Sequence, residues 1–192
     1  MESIFTIPFT EYVSMEEISH FFRKGKGYSI LIPSSRQQKG FDFVLFNQNN
    51  NKSLKFQVKS SKVYMGKEPK REIKKRRFQY YFWMNKFEIE EHDSDYYLFI
   101  GIYNKNINKL KMDHSKDYKK WYKFQFFIFS KQELITLFNT FTESTFAIGF
   151  DNEKQAFLTK GRGAETFEEF SQYILDSDKM KNIEEKLEMD SK

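Results

Sequence analysis

The chain has 192 residues, with 32 Lys and Arg against 27 Asp and Glu, 23 Phe, 11 Tyr and no Cys. That length suits one domain able to bury a sizeable core, and the missing cysteine excludes a disulfide framework and thiol chemistry. Charge is uneven: residues 164–192 carry nine acidic and four basic side chains, net −5, which leaves +10 of the total +5 on residues 1–163.

No long uncharged apolar run is present, so neither a signal peptide nor a membrane span is expected, and a reducing, cytoplasmic setting fits. In chain order, the first element is a helix over roughly residues 15–24. Ser14 and Glu17 have capping-box spacing, Met15, Ile18, Phe21 and Phe22 share one face, and Gly25 and Gly27 end it. Residues 28–32 read as a strand closed by Pro33. Residues 41–46 and 54–60 read as two further strands, joined by the turn in NQNNN into a hairpin.

The densest basic stretch follows, KEPKREIKKRR, holding Lys67, Lys70, Arg71, Lys74, Lys75, Arg76 and Arg77 with two Glu. Such a run attracts polyanions such as nucleic acid; a solvated helix face would look the same. Residues 72–87 are expected to form a helix with Ile73, Tyr80, Met84 and Phe87 on one side, although their aromatic density also suits a strand. Residues 95–104 and 121–129 are strands, the second feeding a helix announced by Ser130 and Glu133. Thr166 with Glu169 announces another helix. The expected organisation is one α/β domain over residues 1–175, a central mixed sheet with helices on both faces, followed by an acidic helical tail over residues 176–192.

Alternation along residues 41–46 puts Asp42, Val44 and Phe46 on one face and Phe41, Phe43 and Leu45 on the other. In the next strand Lys55, Gln57 and Lys59 share a face, opposite Leu54, Phe56 and Val58. Pairing of the hairpin brings Asp42 near Gln57 and Lys59. A carboxylate and an ammonium buried in a sheet are costly unless paired, hydrogen-bonded or bound to metal. Three arrangements compensate: an ion pair of Asp42 with Lys59 or Lys55, a strand end that stays wet, or a hard cation. Mg²⁺ takes carboxylate and carbonyl oxygens, and a neighbouring lysine can orient water and offset phosphate charge.

The stretch FDFVLFNQNNNKSLKFQVKSS, with the helix and strand before it from Ser14 onward, resembles the core of the PD-(D/E)xK nuclease superfamily, the restriction-endonuclease-like fold. The resemblance implies that Asp42 is the metal aspartate, Gln57 the Glu/Gln ligand, Lys59 the catalytic lysine and the Val58 carbonyl a further ligand. It also implies a helix carboxylate, for which Glu17 is the candidate and Glu16 the weaker one, although the Ser14 capping box alone accounts for Glu17. The activity implied is Mg²⁺- or Mn²⁺-dependent phosphodiester hydrolysis in DNA, restriction-like or resolvase-like. A homodimer, and a protein partner as in bacterial defence systems, are expectations at family level. Phe41 stands where the family's eponymous proline would be, and Gln57 supplies no charge where glutamate is more usual, so weaker metal binding is expected. The rival is a catalytically silent nucleic-acid-binding or assembly protein on the same fold.

His20, His92 and His114 are isolated, which argues against zinc or histidine chemistry. KGRG at residues 160–163 reads as a tight turn rather than a phosphate loop. In FQYYFWM, residues 78–84, rings beside Lys and Arg could stack on unpaired bases; core packing is the competing reading.

Overall fold

Aromatic and branched residues at alternate positions make strands of most of this chain. The computed structural model describes residues 8–34, 40–65, 80–90, 93–103, 122–152, 155–159 and 168–189. Helix α1 (Phe9–Phe21) leads into β1 (Tyr28–Leu31), β2 (Phe43–Asn47), β3 (Lys52–Lys62) and β4 (Tyr64–Met65). Strands β5 (Tyr80–Asn85), β6 (Tyr96–Tyr103) and β7 (Lys123–Ser130) follow, then α2 (Lys131–Asn139). The remaining elements are β8 (Thr145–Asn152), β9 (Gln155–Thr159), β10 (Glu168–Glu169) and α3 (Ser177–Glu188).

The strands form two five-stranded sheets, ordered β1-β2-β3-β6-β7 and β10-β9-β8-β5-β4. In the first, β3 and β6 are parallel and the other neighbours antiparallel, so the sheet is mixed. The second is antiparallel throughout. One face of the first sheet, with Phe43, Leu45, Phe56 and Leu98, packs against Met15 and Ile18 of α1, Phe22 just after it, and Met180, Ile183 and Leu187 of α3. Its other face, with Tyr97, Phe99, Phe127 and Phe129, packs against Phe82, Phe146 and Phe150 of the second sheet and Leu134 and Phe138 of α2. The two sheets approach closely at Gly101, where a Cβ would lie 2.8 Å from Val63 Cγ2 and 2.9 Å from Phe82 Cδ1.

The mixed α/β class is as expected, but the layering is not. Helices cover one face of the first sheet, while a second sheet together with α2 covers the other. The difference lies in segments whose structure departs from the expectation. Residues 80–85 are β5, not helix: Tyr80, Phe82 and Met84 are buried and Tyr81 and Trp83 point away, a period of two that pairing with β8 selects over the helical i, i+4, i+7 spacing of Tyr80, Met84 and Phe87. β8 and β9 are strands that no expectation above includes, and Glu169 lies in β10 followed by a 3₁₀ turn over Ser171–Tyr173, not in a helix; Thr166 lies outside the described residues.

The first helix starts six residues earlier than its expected start, after Pro8, and ends at Phe21. Ser14 is therefore inside it, its hydroxyl donating to the Thr10 carbonyl at 2.8 Å, so the Ser14–Glu17 capping box does not form. Pro8 fits that boundary because its ring presets a φ the first turn can use and its missing N–H is not needed there. The expected capping box at α2 is present: Ser130 Oγ accepts from the Glu133 N–H and Glu133 Oε2 accepts from the Ser130 N–H at 2.7 Å. The acidic C-terminal helix is built into the core. Asp176 caps it, and Asn50 Nδ2, from the β2–β3 turn, donates to the Leu187 carbonyl at 2.5 Å. No helix among the described residues is long and apolar enough to cross a membrane.

Removing the Ser130 hydroxyl strips one orphan N–H of α2 of its acceptor, which in comparable caps costs about 1 kcal/mol. Ser130→Ala is therefore expected to lower the melting temperature by roughly 2–4 °C in calorimetry, as for a domain of this size.

Candidate active site

β2 and β3 meet with Phe43 opposite Phe56 and Asn47 opposite Lys52. Both phenylalanines are fully buried, and their rings stack 4.9 Å apart at 3°. A slip of one residue would expose one ring of the pair and bury polar groups in its place, so this contact fixes the register. Extended by one position, the register sets Asp42 across from Gln57, with the Asp42 N–H donating to the Phe56 carbonyl at 2.7 Å. There the carboxylate turns onto β3. Asp42 Oδ2 accepts from Gln57 Nε2 at 2.7 Å and from the Val58 N–H at 2.6 Å. In an extended strand the N–H and C=O of one residue point to the same edge, so the Val58 carbonyl also faces the Asp42 side.

The loop before β6 holds this end of the hairpin. Asp95 Oδ2 accepts from the Lys55 N–H at 2.7 Å, and the Asp95 N–H donates to the Lys55 carbonyl at 2.9 Å. Ser94 Oγ donates to the Gly40 carbonyl. Gly40 adopts φ 107°, and a Cβ there would sit 2.8 Å from the Asp93 nitrogen, so only glycine allows the approach. Lys55 is engaged here as well: its ammonium bonds Asp93 and lies 5.7 Å from the Phe41 ring centre. The Lys55 partner is thus Asp93, and the sequence-based pairing of Lys55 with Asp42 is not formed.

Lys59 shares its strand face with Gln57 and is half-buried, its Nζ 4.8 Å from the Phe87 ring centre. Phe87 is itself wedged against the rings of Phe138, 5.2 Å away, and Tyr97, 5.8 Å away. Burial pushes the Lys59 ammonium below the usual lysine range, and the attraction of Asp42 opposes this without cancelling it. Gln57 is 8% exposed, and its Oε1 is buried without a hydrogen-bond partner.

Asp42, Gln57, Val58 and Lys59 therefore come together as the sequence suggests. Glu17 does not join them. α1 packs on the Phe56 and Val58 face of the first sheet, opposite Gln57 and Lys59, and Glu17 with Glu16 lines a cleft of about 350 Å³ beside Tyr122–Phe126. The basic run, Lys67, Lys70, Arg71, Lys74, Lys75, Arg76 and Arg77, lies outside the described residues, as do Lys160–Gly163, His92 and His114. His20 is exposed in the last turn of α1. No local spacing points to Phe87, Ser94 or Asp95, which meet Lys59, Gly40 and Lys55 across 28, 54 and 40 positions of the chain.

Among the described residues no three His, Cys, Asp or Glu side chains cluster. The donors that would hold a divalent ion are the Asp42 carboxylate, Gln57 Oε1 and the Val58 carbonyl. This set fits a hard cation that keeps several waters and shares substrate phosphate oxygens, as Mg²⁺ commonly does. The specific fit is Gln57 Oε1, because a buried acceptor lacking a donor is costly until a cation or water meets it. No family model, no curated protein and no solved structure matches this chain. The functional reading therefore rests on the site's own geometry.

Two measurements probe that geometry. Gln57→Glu places a second carboxylate against Asp42, where each raises the other's pKa and both favour a cation. Its melting temperature is expected to rise more steeply with Mg²⁺ than that of the wild type and to fall without it. Because the charged form of Lys59 is disfavoured in the fold, Lys59→Met is expected to melt higher than wild type at neutral pH. The unfolded chain binds that proton more tightly, so wild-type stability gains on the variant as pH rises through the folded pKa toward about 10.4, and the difference narrows.

Proposed function

We propose that the protein is a divalent-metal-dependent nuclease of restriction-endonuclease-like character, acting on phosphodiester bonds of DNA, with Asp42, Gln57, Val58 and Lys59 as its centre. The observation that carries this reading is the joint placement of Asp42 and Gln57 across the hairpin, bonded through the Gln57 amide nitrogen, with the amide oxygen buried without a donor and a partly desolvated lysine further along the strand.

Hydrolysis requires water oxygen to bond to phosphorus, the P–O bond to one sugar to break, and the leaving oxygen to take a proton. Mg²⁺ or Mn²⁺, when bound, would supply a Lewis acid that lowers the pKa of water and offsets phosphate charge. Asp42 contributes the anionic oxygens, held in place by the Val58 N–H. Gln57 contributes a neutral oxygen and keeps the carboxylate oriented through its amide group. Lys59 releases its proton more readily than an exposed lysine, so it can take a proton from water or, when charged, bond a phosphate oxygen. Phe87 keeps that ammonium at the rim of the core and excludes water from one side.

The second reading, a nucleic-acid-binding or assembly protein without catalysis, is favoured by one observation. Among the described residues Asp42 belongs to no cluster of three or more His, Cys, Asp or Glu, and Gln57 and Val58 already donate to one of its oxygens. Incubation of the purified chain with plasmid in Mg²⁺ or Mn²⁺, beside Asp42→Ala and Lys59→Ala, separates the two. Cleavage is expected from the wild type, with a loss of about a hundredfold or more in each variant, the scale of a lost acid–base group. Cleavage that survives both substitutions rules out this centre, and binding without cleavage selects the silent reading.

A further inference from the structure

α2 leaves the first sheet from Ser130, the last residue of β7, which pairs directly with Tyr96, the first residue of β6. α3 packs on the same sheet, and its Lys179, Asn182, Ile183 and Lys186 stand at i, i+3, i+4 and i+7, which puts them on one side of the helix. Between the two helices lies a cleft of about 630 Å³, lined by that side of α3, by Glu133 and Thr136 of α2, and by Tyr96, Ile128 and Tyr173. The volume is in the range of small-molecule sites. Its floor is apolar, with Ile128 and Ile183 each 1% exposed and Tyr96 6%, and Met189, 64% exposed, stands at its edge.

The two lysines of the cleft differ in how their charge is met. Lys179 is neutralised: its ammonium donates to Glu133 Oε1 at 3.0 Å, while Glu133 Oε2 accepts the Ser130 N–H. Lys186 lies two turns further along α3, about 10 Å at helical rise. Its Nζ sits 4.9 Å from the Tyr96 ring centre, and no ion pair holds it among the described residues. A ring face attracts a cation without neutralising it or using up its three donors. Glu185, exposed at the rim, is the remaining charged side chain of the lining.

We infer that this cleft binds an amphiphilic monoanion, a small molecule whose apolar body covers Ile128, Ile183 and Met189 and whose carboxylate meets Lys186. Charge complementarity selects the head group. One cation is left without a carboxylate, which suits one negative charge, whereas a di- or triphosphate would set most of its charge against Glu133 and Glu185. The apolar floor selects the body, since a bare ion would leave it uncovered. Met189 suits such a ligand because its unbranched thioether adapts to irregular shapes. Tyr96 lies on the α1 and α3 face of the first sheet, opposite Gln57 and Lys59, so the inference stands whether or not the nuclease reading does.

Isothermal titration calorimetry of the full chain with naphthoate, its neutral analogue naphthamide, and acetate tests this, alongside thermal melting of each variant. Naphthoate is expected to bind tighter than naphthamide by about tenfold or more, the scale of one charge-assisted hydrogen bond, and acetate, which lacks the body, to bind far more weakly than either. Lys186→Gln, at an exposed position, is expected to lose that advantage of naphthoate and to leave naphthamide unchanged. Glu185→Gln, which removes the rim carboxylate, is expected to bind naphthoate at least as tightly as the wild type. Asn182→Trp, which fills the cleft from an exposed wall, is expected to abolish binding of both. The inference is overturned if naphthoate does not bind, if naphthamide or acetate binds as tightly, if folded Lys186→Gln or Asn182→Trp keeps wild-type affinity, or if Glu185→Gln weakens it.

Discussion

The stacked pair Phe43–Phe56 is the constraint on which the candidate site depends. Neither ring touches chemistry, yet together they decide which residue of β2 faces which residue of β3. Side chains alternate with a period of two, so only even shifts keep both rings inside, and a shift of two would also unpair the hairpin turn that caps α3 through Asn50. With the register held, Asp42 arrives opposite Gln57 at the last backbone bond of the ladder, where its carboxylate takes the Val58 N–H that β2 no longer pairs. The carboxylate thus serves as a backbone acceptor at the strand end. Under the proposed function, the carboxylate that would hold a cation is the same one that completes this strand end through Oδ2.

The second sheet explains why the site is half-buried instead of open. Lys59 projects from the first sheet toward the side that the second sheet and α2 cover, and Phe87, at the exit of β5, fills the space beside it. A helix on that face would have offered a curved, narrow apolar stripe. A sheet packed through Phe82, Phe146 and Phe150 extends a flat aromatic layer to the rim. The ammonium therefore meets a ring on one side and a carboxylate on the other, and its environment is set by packing as much as by charge.

The hairpin was legible in the sequence because its signals are local: alternation in residues 41–46 and 54–60, an Asn-rich turn between them, and an aspartate out of place among apolar residues. The helix at Ser130 was legible for the same reason, since both halves of its capping box lie within four residues. What could not be read depends on pairing between distant segments. Tyr80, Met84 and Phe87 satisfy a helical spacing as well as a strand does, and only β8, about 65 residues later, decides the matter. Glu17 shows the converse error: its spacing from Ser14 suits a cap, but Pro8 starts the helix earlier and turns that spacing into an interior turn. The covering of the first sheet was misjudged because β8 and β9, rich in Phe, Ala and Gly, carry no turn signal between them stronger than Asp151 and Asn152.

Lys59 also bears on how the two readings of the centre should be weighed. An ion pair retained for stability would show attraction outweighing desolvation, and the lysine's pKa would stand at or above its ordinary range. Here burial outweighs the pull of Asp42, so the fold holds this ammonium at a net cost. A methionine could fill the same space beside Phe87 without that penalty. Groups that a fold would be more stable without are the ones most often kept for chemistry or binding, because mutation otherwise removes them at no loss. The proposed centre gives Lys59 a use that accounts for this cost, since phosphate binding and proton transfer both need a cation held near a carboxylate and only partly hydrated.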